Sequence, residues 1–109
     1  MTKREALEKM RDHWLWIAKT AGASPSRQNP YELKMAYFEA RDLPVPYIGC
    51  YACEYDNQFK EDCDHCPVVW RNADGCGRGE YMDFMLNPTA ENAQAVADLA
   101  IKALEAIDV

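Results

Sequence analysis

Residues 47–79 read YIGCYACEYDNQFKEDCDHCPVVWRNADGCGRG, and the reading of this stretch decides how the chain folds. It carries neither the period of an amphipathic helix nor the alternation of a half-buried strand. Cysteine, acidic residues, Asn and Gly dominate it. A run of this length without a period is an unusual loop for a compact domain unless something other than an apolar core orders it. The cysteines offer a candidate, in the pattern Cys50-x2-Cys53-x9-Cys63-x2-Cys66-x9-Cys76. Two residues between cysteines let both sulfurs face one point from a tight turn. Two such turns supply the four thiolates that tetrahedral zinc accepts. The spacer Glu54–Asp62 is long enough to reverse direction between the turns. The simplest ligand set is Cys50, Cys53, Cys63 and Cys66. A set with Cys76 in place of Cys63 stays open, because the flanking Gly75 and Gly77 would let the chain approach a metal closely. His65 lies between two candidate ligands, where its ring is expected to point to solvent.

Such a site is expected to be structural. Four thiolates close the coordination sphere, whereas catalytic zinc keeps a position open for water. Zinc deaminases need a His-x-Glu motif and a proline before the Cys-x-x-Cys pair. Here the proline follows the pair, at Cys66-Pro67, and there is no His-x-Glu. No Gly-rich phosphate loop and no Ser-His-Asp arrangement is legible, so the chain is expected to be no enzyme. The total of five cysteines is odd and cannot close completely into disulfides. The first residues, MTKREALEKMRDHW, are charged and lack an apolar stretch, so no signal peptide is expected. Clustered thiols in a reducing compartment point to metal rather than to disulfides.

Outward from the cysteines, the flanks read as helices. Residues 2–22 form an amphipathic pattern opened by a capping box, Thr2 with Glu5. Leu7, Met10, Trp14, Ile17, Ala18 and Ala21 share its apolar face, and Gly22 is expected to end it. His13, beside Trp14, reads as a structural or an exposed residue. Trp16 sits off the stripe, as lateral packing or as an exposed anchor. Asn29-Pro30 caps a second helix running to about Asp42, with Leu33, Tyr37 and Ala40 on one stripe and Phe38 beside it. Leu43-Pro44-Val45-Pro46 stops it. Glu80–Leu86 holds a short helical turn carrying Tyr81, Phe84 and Met85. Asn87-Pro88-Thr89 opens a last helix to Ile107, with Val96, Leu99, Ala100, Ala103, Leu104 and Ile107 on one face. The expected fold is mainly α, one domain over 1–109: N-terminal helices in 2–43, a zinc-binding loop region in 47–79 and C-terminal helices in 80–107. Two to three helices flank an irregular, zinc-ordered loop region.

Charge narrows the partners. The chain has 12 Lys and Arg against 18 Asp and Glu, a net −6, and 49% hydrophobic residues. Residues 1–34 hold seven basic and four acidic side chains, and residues 35–109 hold five and fourteen. Most of the chain would repel phosphate, so direct nucleic-acid binding is not expected. An acidic surface suits a basic partner, such as the groove of a nucleic-acid enzyme. No stretch approaches the roughly 18 apolar residues of a membrane span.

His13-Trp14-x-Trp16-Ile17-Ala18, Cys50-x2-Cys53-Glu54-Tyr55, Cys63-x2-Cys66-Pro67-x2-Trp70, Cys76 and Tyr81-x2-Phe84 occur together in this order. The combination resembles small phage and prophage proteins with a cysteine-rich zinc loop between helices, over about residues 13–86. Some members carry tryptophan where this chain has Phe84. The resemblance implies a prophage-encoded accessory protein working in the bacterial cytoplasm, and it implies that all five cysteines belong to the motif. Within that setting the size, charge and metal loop are similar to those of a zinc-containing type II-A anti-CRISPR protein. The implied function is a non-enzymatic inhibitor of a host defence nuclease. The implied partner is Cas9 or its guide-RNA complex, which holds nucleic acid in positively charged channels. Glu61, Asp62 and Asp64 are the partner-binding candidates. Two alternatives stand beside it: a zinc module that binds nucleic acid through Lys3, Arg4, Lys9 and Arg11, and a phage structural or adaptor protein.

Overall fold

The computed structural model describes residues 1–23, 29–46, 49–58, 67–68 and 79–107. It is mainly helical, with no strand among the described residues. Helix α1 spans Lys3–Ala23. Its start follows from local chemistry: the Thr2 hydroxyl accepts the Glu5 amide at 3.1 Å. Leu7, Met10, Trp14, Ile17 and Ala18 are buried as their spacing predicts, and Ala6 and His13 join them. Gly22 does not end the helix, which continues through Ala23. At Gly22 the chain lies against Ala90, whose Cβ would stand 3.5 Å from a Cβ placed there.

Helix α2 spans Pro30–Arg41. The Asn29 carboxamide oxygen accepts the amides of Tyr31 at 2.9 Å and Glu32 at 3.1 Å. Pro30, which has no amide hydrogen to offer, fills the first turn. The buried stripe is Leu33, Lys34, Tyr37 and Phe38, whereas Ala40 is exposed. The helix closes at Asp42 in the left-handed conformation, φ 51° and ψ 44°. The Asp42 and Leu43 amides turn back to the carbonyls of Glu39 and Phe38 at 3.3 and 3.0 Å.

Helix α3 spans Tyr51–Asn57 and falls inside the stretch expected to be irregular. Tyr51 and Ala52 are buried and hold it against α1. Helix α4 spans Glu80–Leu86, where the short turn is expected. Phe84 is fully buried, with Tyr81 and Met85 partly covered. Helix α5 spans Ala90–Ile107. The Thr89 hydroxyl accepts the Asn92 amide at 3.1 Å. The Asn92 side chain donates to the Asn87 carbonyl at 2.8 Å and the Asp83 carbonyl at 3.3 Å, which ties the end of α4 to the start of α5.

The described residues therefore carry five helices rather than two or three. The broadest pairing is α1 on α5. Ala6 and Ala18 on one side and Ala93, Ala97 and Ala100 on the other are all buried, and small side chains let helices approach closely. Trp14 links this layer to α4 through edge-on contacts with Phe84 at 5.0 Å and Tyr81 at 5.9 Å. Trp16 packs laterally on Tyr37 at 5.7 Å, with the Arg41 guanidinium over both rings. Among the described residues no helix is long and apolar enough to cross a membrane.

Candidate metal centre

Cys50 and Cys53 lie where the chain enters α3. Gly49 turns the backbone with φ +68°, and its amide donates to the Pro46 carbonyl at 2.8 Å. That positive φ is open to glycine at little cost. Cys50 then returns to extended backbone as the N-cap residue, and Cys53 sits in the first turn. The Glu54 amide closes that turn on the Cys50 carbonyl at 3.0 Å. Two residues of helix after an extended cap place both thiols on one side. Cys50 is buried and Cys53 half-buried, and neither is joined in a disulfide.

The pair favours a thiolate. The Cys53 thiol donates a hydrogen bond to the Cys50 sulfur and, as the largest effect, draws its pKa down to about 6. Burial opposes this. The backbone amide of Cys53, the positive charge of Lys34 and the amide of Ala52 add to the lowering. A metal binds thiolate and not thiol, and the effects that lower the Cys50 pKa favour the form that would bind one. Two adjacent thiols of this kind fit half of a tetrahedral thiolate site.

Cys63, Cys66 and Cys76 lie outside the described residues, as do His65, Glu61, Asp62, Asp64 and Trp70. Among the described residues no group of three Cys, His, Asp or Glu side chains converges as a metal site would need.

His13 is sealed inside the protein, with no exposed surface. Its ring lies 4.6 Å from Phe38, 4.8 Å from Tyr37, 5.7 Å from Trp14 and 6.3 Å from Tyr51, centroid to centroid. Nε2 is 2.8 Å from the Lys34 carbonyl, which can only accept, so Nε2 carries the hydrogen. Nδ1 is then a buried acceptor with no hydrogen-bond partner. Burial above all lowers the His13 pKa to about 4. The bond to Lys34 opposes the shift, and the charges of Lys34 and Arg41 reinforce it. A neutral ring sealed among aromatics is a structural histidine and not an exposed one.

The sequence pattern did not single out Lys34. Its side chain is 2% exposed, and its ammonium donates to the Tyr81 hydroxyl at 2.9 Å. The legible signal is its position: it shares the α2 stripe with Leu33, Tyr37 and Phe38. Of the basic residues considered for nucleic acid, Lys9 lies over the Tyr51 ring at 5.8 Å and Arg11 pairs with Asp12 at 3.0 Å. Compared with protein-family models, curated proteins and solved structures, the chain has no significant match.

Proposed function

We propose that this chain is a zinc-ordered, non-enzymatic binding protein of phage type that inhibits a host defence nuclease, with Cas9 as the leading partner. The observation that carries the reading is the Cys50–Cys53 pair: two thiols outside any disulfide, brought together at the start of α3, with one sulfur held toward the thiolate. Zinc held by this pair and by two of Cys63, Cys66 and Cys76 would order the middle of the chain and leave its acidic side chains to meet a partner. The thiolates would bind the metal, and the closed sphere would give it no reaction to perform.

The charge pattern supports a basic partner. On α5, Glu91, Asp98 and Glu105 are exposed, and residues seven apart share a helix face. With Glu61, Asp62 and Asp64 they belong to the strongly acidic part of the chain. Such a surface suits the positively charged channel of an RNA-guided nuclease.

The test adds zinc-loaded protein in excess to a Cas9–guide complex and follows DNA cleavage. Cleavage is expected to fall, and the inhibition to weaken as salt rises. Reversing Glu61, Asp62 and Asp64 to Lys should abolish the effect. Undiminished cleavage with excess protein overturns the Cas9 assignment. A gel shift on DNA alone that weakens steeply with salt would support the nucleic-acid module instead.

A further inference from the structure

Residues 49–50 and residue 81 lie at the two ends of the cysteine-bearing stretch, and one side chain from α2 reaches both. Lys34 leaves the middle of α2 and buries its whole length. At one end of the stretch, a Cβ placed on Gly49 would stand 3.4 Å from both the Cε and the Nζ of Lys34. The ammonium therefore rests against the turn that delivers Cys50. At the other end it donates to the Tyr81 hydroxyl at 2.9 Å and lies 4.7 Å from the Tyr81 ring centroid. Met35 also borders Gly49, with Sδ at 3.4 Å from the same point. Glycine is favoured at 49 by its positive φ, with Lys34 and Met35 in van der Waals reach of the position.

We propose that Lys34 is the positioning residue of the metal centre: it joins the turn that delivers Cys50 to Tyr81 at the far end of the cysteine segment and places a positive charge beside that turn. The inference rests on the zinc reading above. A centre of four thiolates and one Zn2+ carries two net negative charges, and bringing such a charge against a packed core is costly. A buried ammonium next to Cys50 offsets part of it. Groups outside the ligands commonly change metal affinity by about 10–100-fold. The clamp also explains why a charged residue occupies the apolar stripe of α2. A neutral side chain there could fill the space but would neither hold the Tyr81 hydroxyl nor balance thiolate charge.

The experiment measures zinc affinity by competition with a chromogenic chelator, and the Co2+ spectrum, for wild type, Lys34→Met, Lys34→Arg and Tyr81→Phe. Helical circular dichroism reports the fold of each. Lys34→Met should bind zinc about tenfold or more weakly with its helices intact. Lys34→Arg, which keeps the charge, should recover most of that loss. Tyr81→Phe should cost a few-fold, and it decides the matter if Lys34→Met does not fold. In Lys34→Met the thiolate-to-cobalt bands should need more Co2+ to saturate. Wild-type affinity in Lys34→Met, or in Tyr81→Phe where Lys34→Met is unfolded, overturns the role of Lys34 and leaves the zinc reading standing. A wild-type protein that binds no zinc overturns both.

Discussion

His13 sits among four aromatic rings with one nitrogen spoken for by the Lys34 carbonyl and the other buried without a partner. Protonation would place a positive charge in that nest, near Lys34 and Arg41. The folded protein holds the ring neutral down to about pH 4, whereas in the unfolded chain it takes a proton near 6.5. Between those two values the unfolded state binds more protons, so stability falls as pH falls. The contribution is present in full above about 6.5 and is drawn down toward 4, by about 3 kcal/mol in all. Urea unfolding at pH 7 and at pH 4.5 should show this loss. His13→Gln keeps a donor toward the Lys34 carbonyl but cannot titrate, and it should lose less stability over the same range. An unchanged pH dependence in His13→Gln would show that other groups set it.

At the scale of elements, the legible parts were those built from neighbours in sequence. Thr2, Asn29-Pro30 and Thr89 announce helix starts because a side chain there bonds an amide two or three residues on. The short α4 was legible from Tyr81, Phe84 and Met85 at helical spacing. Helix α3 was not. It has seven residues, its buried apolar side chains Tyr51 and Ala52 are adjacent, and two neighbours define no period. Its stability comes from packing on α1, which sequence spacing does not display. Lys34 was missed for the same reason, because its partner Tyr81 comes from a distant helix. The Cys-x-x-Cys spacing revealed the thiol pair, but the α3 cap that orients it became clear in the structure. The end of α2 gives a prediction at this scale. Asp42 adopts a left-handed backbone, in which an L side chain is strained and glycine is not. Asp42→Gly should therefore stabilise the protein by about 0.5 kcal/mol after the extra freedom of the unfolded glycine is counted. Thermal unfolding should move up by about 2–4 °C. A lower melting temperature would mean that the Asp42 side chain contributes more than its backbone costs.

For the molecule as a whole, the helices supply a core of Leu7, Met10, Trp14, Ile17, Phe38, Phe84 and the α5 alanines. That core carries the flanks, and on the proposed reading an ion held by thiolates would organise the stretch between α2 and α4. On the proposed reading, the unequal distribution of charge would act at long range and steer the acidic part toward a basic surface. The direct measurement is the metal content of purified protein, by elemental analysis and native mass spectrometry, for wild type, Cys50→Ser and Cys66→Ser. Wild-type protein should carry about one zinc per chain, and each serine variant should lose the metal. Wild-type protein free of zinc, or zinc retained at full occupancy in both variants, would contradict it.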